Sequence, residues 1–189
     1  WCALNGLPVG EEAPDMGPVK AAFTAYLDSY PEGRYVAMAE YTLAEIRFNE
    51  GEYDQAYERF VRLEARFPDT EAAVRAQQFI PRLLEAIAFR EYGPVAEVLN
   101  AALEAEDDDQ LRQLIPQLEA VWDRYPQTGS GVGAKINVGV CYQNLRQWQA
   151  AVQTFDAIIA AGEGGNEQVT THVMSFSQRR REMIARRHL

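Results

Sequence analysis

Two stretches of this chain repeat one pattern of apolar, small and aromatic residues, 95 positions apart. The first is "RYVAMAEYTLAEIRFNEGEYDQAYERFVRLEARFPDT", residues 34–70. Its apolar residues fall at Ala37, Tyr41, Leu43, Ala44 and Phe48, break at "NEG", and resume at Tyr53, Ala56, Tyr57, Phe60 and Leu63. That spacing is helical. Two amphipathic helices joined by so short a turn must pack antiparallel, and Gly51 suits the reversal. The second stretch is "AKINVGVCYQNLRQWQAAVQTFDAII", residues 134–159. Val138-Gly139 answers Leu43-Ala44, Trp148 answers Tyr53, Ala151 answers Ala56 and Phe155 answers Phe60. Small residues at fixed places let two helices approach closely, and the aromatic residue fills the space beside them.

The rest of the chain agrees with a helical reading. Its 189 residues are 47% hydrophobic and 24% charged, a globular composition. No apolar run reaches the ~18 residues that span a bilayer. The net charge is −10, and sixteen of the eighteen basic residues are arginine. An acidic chain repels phosphate backbones, so nucleic acid is not an expected partner. The chain begins at Trp1, which suggests a processed or truncated form.

Residues 1–17 show no period and read as an irregular lead-in. From Pro18 the spacing Val19, Ala22, Phe23, Tyr26, Leu27 predicts a helix that Pro31 ends. Residues 69–125 are less regular. "TEAAVRAQQFIPRLLEAIAFREYG" reads as a helix carrying Pro81, and "PVAEVLNAALEAE" and "DDDQLRQLIPQLEAVWDRYP" as two more. Helix pairing then requires either that Pro81 split its helix or that one unpaired helix be inserted. The tail places Val169, Val173, Phe176, Met183 and Ile184 near one face of a closing helix. The organisation expected is a repeat domain over 18–164 and a capping helix over 165–189 with a basic end.

The candidates for chemistry are few. "QTGSGVGAKINVGV", residues 127–140, has three glycines at alternate positions before a lysine. A phosphate loop needs G-x-x-x-x-G-K-[ST] after a strand. Here Ala134 stands at the second glycine, Ile136 follows Lys135, and a helix end precedes. The expected role is an inter-repeat loop, with Lys135 dispensable for stability. The run "EAEDDDQ", residues 104–110, gathers five carboxylates without a turn glycine. It reads as a helix start, where acidic groups meet free N–H groups, rather than a calcium loop. His172 reads as a polar residue of the closing helix and Cys141 as a small buried hydrophobe. A bond between Cys2 and Cys141 is left open. No catalytic, cofactor or metal residues are assigned. The basic tail "RRREMIARRHL" is read as complementing the acidic body, with peripheral membrane contact as the alternative.

The two stretches together resemble the tetratricopeptide repeat, through Ala56…Phe60…Pro68 and through Val138-Gly139…Tyr142. Glu40 and Lys135 stand where that family often has tryptophan, and no proline closes the second unit. A narrower likeness is to the bacterial envelope subfamily, the outer-membrane assembly lipoprotein and Tol-Pal coordinator type. It rests on the aromatic–proline pairs Tyr30-Pro31, Phe67-Pro68 and Tyr125-Pro126. The resemblance implies an all-α fold, a right-handed α-α solenoid of helix–turn–helix repeats closed by a C-terminal helix. It implies a non-enzymatic scaffold that binds proteins or peptide segments, in a periplasmic or outer-membrane-associated assembly. A structural subunit embedded in a larger complex and an accessory domain of an enzyme are the alternatives. By the same resemblance, a groove would be lined by Tyr41, Glu45, Phe48 and Asn49 in the first repeat and Ile136, Val140, Gln143 and Asn144 in the second. Tyr41 and Phe48 would otherwise complete the core.

Overall fold

The computed structural model describes residues 15–188. All the regular structure among them is helical: α1 (Gly17–Ser29), α2 (Val36–Asn49), α3 (Tyr53–Arg66), α4 (Glu71–Glu104), α5 (Asp108–Arg124), α6 (Gly129–Asn144), α7 (Trp148–Glu163) and α8 (Thr171–His188). The expected all-α architecture of consecutive packed helices is what the structure shows. The chain divides into two compact units, Trp1–Ile80 and Pro81–Leu189, with the boundary inside α4. Most of the expected lead-in, and Cys2 with it, lies outside the described residues.

Three helices stop in the same way. α1, α3 and α5 end at Ser29, Arg66 and Arg124, and the following aromatic residue of each aromatic–proline pair is the C-cap. Tyr30, Phe67 and Tyr125 share φ near −136, −134 and −131° and ψ of 64, 51 and 49°. The proline ring disfavours the helical conformation in the residue before it, and here ψ swings out while the cap N–H still reaches back. Each of those N–H groups donates to the carbonyl four residues earlier at 2.9 Å.

In the first unit α2 packs on α1 and α3. The core is aromatic: Tyr41 and Phe60 lie 5.4 Å apart, Phe60 and Phe79 5.4 Å, and Phe48 meets Phe79 edge-on at 5.0 Å. Phe79 comes from the first turns of α4, which also bury Ala72, Ala73 and Ala76. α1 contributes half-buried Val19, Phe23, Tyr26 and Leu27, while Ala22 is exposed.

In the second unit α5, α6, α7 and α8 pack in succession. Val132, Ala151, Phe155, Ile158, Val169 and Ile184 form one buried cluster, with Val173, Met174 and Phe176 against it. α8 therefore closes the core as expected. Met183, expected on that face, is instead exposed. Ser177 takes a place in the buried face, and its hydroxyl has no partner.

Neither arrangement expected for residues 69–125 occurs. Glu71–Glu104 is one helix that runs through Pro81 and Pro94, and α5 runs through Pro116. A proline inside a helix removes one backbone donor and crowds the carbonyl four residues back. All three prolines are exposed, so water can take up the abandoned carbonyls. The reading of Pro94 as a helix start missed this. Helix pairing is kept because α4 and α5 together make the even count between the two clear repeats.

The 95-residue offset extends beyond the two repeats. It carries Tyr30-Pro31 onto Tyr125-Pro126, and the helix order α1, α2, α3, start of α4 onto α5, α6, α7, α8. The Pro31 carbonyl accepts from Arg66 at 3.0 Å and the Pro126 carbonyl from Asn166 at 2.7 Å. Equivalent carbonyls are thus tied down by different side chains. The turn after α2 uses Gly51 with φ +81°, whereas its counterpart after α6 is Arg146 with φ +58°, a conformation that strains a residue with a Cβ.

α6 and α7 approach closely at Gly139. A Cβ built on Gly139 would meet the Phe155 ring at 2.7 Å. Helix propensity alone says that Gly139→Ala should stabilise by about 1 kcal/mol. The contact predicts the opposite sign: a loss of about 1–3 kcal/mol from overpacking, read as a lower urea midpoint at unchanged slope.

Candidate partner-binding surface

The stripe expected on the first repeat splits into a buried part and an open part. Tyr41 is 6% exposed and its ring belongs to the aromatic core. Its hydroxyl donates to Glu45 Oε1 at 2.9 Å. Burial first, and then the Glu45 carboxylate, push the Tyr41 phenol up to about 12. Phe48 is half-buried between Phe79 and Tyr53, 5.4 Å from the latter. Glu45 is half-buried and Asn49 is exposed.

On the second repeat, half-buried Ile136 packs against the core cluster. Val140 is half-buried too, and its carbonyl accepts from Asn144 Nδ2 at 2.9 Å. Gln143 faces α8, its Oε1 3.5 Å from Arg180 Nη1. Asn144 is exposed and lines a cleft of about 610 Å³ with Leu103, Glu106, Leu111, Leu145 and Arg146. The four positions of each repeat thus lie on one helix, with Tyr41, Phe48 and Ile136 packed inward and Asn49 and Asn144 exposed.

The glycine-rich stretch is not a loop. Gly129, Gly131 and Gly133 lie in the first turns of α6. Thr128 is the N-cap: its Oγ1 accepts from the Gly131 N–H at 2.9 Å and donates to the Tyr125 carbonyl at 2.8 Å. The remaining donors are claimed by a carboxylate of α4. Glu85 accepts from the Gly129 N–H at 2.6 Å, from the Ser130 N–H at 3.0 Å and from the Ser130 hydroxyl at 2.6 Å. The positive end of the helix dipole is therefore already met by an internal anion. Sequence reasoning missed Glu85, whose partners lie 44 and 45 positions away. It also missed Glu91, which accepts from the Tyr125 hydroxyl at 2.7 Å and from Arg124 at 2.6 Å. Tyr92 was missed as well; its hydroxyl accepts from Asn137 at 2.9 Å.

Lys135 points away from the helix start. Its ammonium pairs with Glu119 of α5 at 2.6 Å and sits 6.0 Å from the centre of the Trp122 ring. The lysine side chain is only 12% exposed. The expectation that Lys135 is dispensable is therefore corrected: removing it leaves a half-buried carboxylate without its counter-charge.

The other candidates fall into structural places. Asp107 caps α5 by accepting from the Gln110 N–H at 2.9 Å, and Arg112 pairs with Asp109 at 2.6 Å, so the acidic run begins a helix as expected. His172 is exposed on α8, and His188 stacks on Trp148 with ring centres 3.9 Å apart. Cys141 is fully buried, and burial pushes its thiol up to about 11, which keeps it protonated at neutral pH. Lys135→Ala should lower stability by about 1–3 kcal/mol, between the values for exposed and fully buried pairs, in a denaturant titration at neutral pH.

No curated protein matches the chain. The Tetratricopeptide repeat family matches residues 38–70 and 136–161. The first segment covers most of α2, α3 and the aromatic–proline stop after it, and the second covers most of α6 and α7. The chain thus carries two segments similar to the tetratricopeptide repeat within a run of consecutively packed helices.

Proposed function

We propose that this chain is a non-enzymatic scaffold that binds other proteins through the first helix of its repeats. Tetratricopeptide repeats generally mediate protein–protein interaction. The observation that carries the reading is the shape of the two stripes. Tyr41, Phe48 and Ile136 are held by the core, Val140 and Glu45 are half-buried, and Asn49 and Asn144 are exposed to solvent. Fixed apolar bodies with polar groups beside them give a peptide both area and register.

A role in a bacterial envelope assembly, periplasmic or at the outer membrane, is the finer form of the proposal. Its support is the three aromatic–proline helix stops. Membrane contact through α8 is supported by exposed Arg186 and Arg187 at its end. A permanently embedded subunit is the second reading. Exposed Tyr30, Tyr35 and Met38, at 60%, 53% and 37%, favour it, because large apolar side chains so close in sequence suit a standing interface.

The test is selection of peptide binders from a displayed library, followed by affinity measurement on two double variants. Glu45→Gln with Asn49→Ala, which keeps an acceptor for the Tyr41 hydroxyl, and Gln143→Ala with Asn144→Ala, should each weaken selected peptides by roughly tenfold while melting stays unchanged. Tyr41→Ala should lower melting, as a core substitution. Peptides indifferent to both double variants would place the binding surface elsewhere.

A further inference from the structure

The outer face of α3 carries three arginines, Arg59, Arg62 and Arg66. Arg59, Arg62 and Arg66 line a pocket of about 150 Å³ with Glu40, Leu63 and Phe67. Positions 59, 62 and 66 are three and four residues apart, so they share one face of the helix. Arg59 Nη1 donates to Glu40 at 2.6 Å. Among the described residues, Arg62 Nε donates only to the Glu58 carbonyl of its own helix, at 3.3 Å. Arg66 donates to the Pro31 carbonyl at 3.0 Å, and its guanidinium lies 4.8 Å from the centre of the Phe67 ring. A guanidinium has five N–H donors, so most of the donors around this pocket are unspent. One carboxylate faces three guanidinium groups, which leaves an excess of two positive charges in a chain of net charge −10.

The internal duplication provides the control. Ninety-five positions on, α7 has Thr154, Ala157 and Ala161 in place of the three arginines, Lys135 in place of Glu40 and Gly162 in place of Phe67. Leu63 and its counterpart Ile158 are both buried, so the inward face is kept while the outward face is not. The same helix packs without any of these charges in the second unit. Arg62, which among the described residues bonds only within its own helix, is therefore not a requirement of the joint between α2 and α3.

We propose that this pocket is an oxyanion-binding subsite, which takes a carboxylate or phosphate group borne by a partner protein. Arginine forks match the geometry of both groups, and a lysine-like point charge would not. Arg59 and Arg66 are fixed by Glu40 and by the Pro31 carbonyl, so two walls are preorganised. Arg62 is the arm free to close on the anion. Leu63 and Phe67 supply an apolar wall for the atoms that carry it. The site lies on the second helix of the pair, apart from the first-helix stripe. It deepens the protein-binding reading and rests on it, but its test needs no partner.

The experiment titrates the full chain with inorganic phosphate and, separately, with acetate. It follows the arginine Nε–Hε resonances by NMR at constant ionic strength held with chloride. The Arg59, Arg62 and Arg66 signals should move together and saturate, in the millimolar range typical of a single bidentate group in water, and Arg62→Gln should weaken phosphate roughly fivefold or more. Arg62→Lys should recover only part of the loss. Arg62 holds no other element, so Arg62→Gln should keep the parent melting temperature. If that variant melts lower, Arg62→Lys decides, since it keeps the charge without the fork. Saturation by phosphate alone would identify a phosphate-bearing partner, and by both anions a carboxylate or either. Signals that follow only ionic strength, or phosphate binding unchanged in both Arg62 variants, would overturn the subsite. A failure here with intact peptide binding at the first-helix stripe would remove the pocket and leave the scaffold reading standing.

Discussion

The close approach of paired helices at small residues is the constraint on which the rest of this structure depends. Gly139 and Phe155 show it most clearly, because any side chain at Gly139 would enter the Phe155 ring. Ala44 and Phe60 hold the same two positions in the first repeat, and both are fully buried. Ala56 and Ala151, also fully buried, keep the second helix close on its other turn. Once the helices approach this closely, the large side chains must leave the joint, and they fill the flanks as the aromatic core of the first unit and the mixed core of the second. The first-helix stripe is then held by core contacts and turned outward at its polar ends.

The duplication separates what the fold needs from what it tolerates. The Tyr30-Pro31 stop, the small residues Ala44 and Ala56 and the buried Phe60 recur across the 95-residue offset, as Tyr125-Pro126, Gly139, Ala151 and Phe155. Most charged positions do not. Glu40 pairs with Arg59 in one unit, while its counterpart Lys135 reaches Glu119 on the preceding helix in the other. Both replace an apolar group expected at that place in the repeat, and both solve the burial of a charge by pairing it. The left-handed turn position is glycine in one copy and Arg146 in the other. These outward differences are where a partner, rather than the core, can act on the sequence.

The parts of the fold legible from sequence were those set by local rules. Helical spacing, small residues, Gly51 and the aromatic–proline pairs act within a few residues, so their consequences could be read directly. The course of α4 was not legible, because Pro81 and Pro94 are strong local breakers. Only their exposure, a property of the folded chain, lets the helix continue. Glu85 and Glu119 were invisible for a related reason. A carboxylate that caps a helix 44 residues away, or pairs with a lysine on the next helix, leaves no pattern in its own neighbourhood. Of the candidate stripe, the sequence showed which residues share a helix face, but not that Tyr41 would sink into the core and leave its hydroxyl to Glu45.

Amide hydrogen exchange under native conditions tests most directly whether the small-residue joints hold the molecule up. If they do, the slowest amides should be those of α2 and α3 around Ala44 and Phe60, and of α6 and α7 around Gly139 and Phe155, opening only with global unfolding. Exchange in those segments as fast as in α1, with the slowest amides confined to the proline-containing α4, would contradict the account.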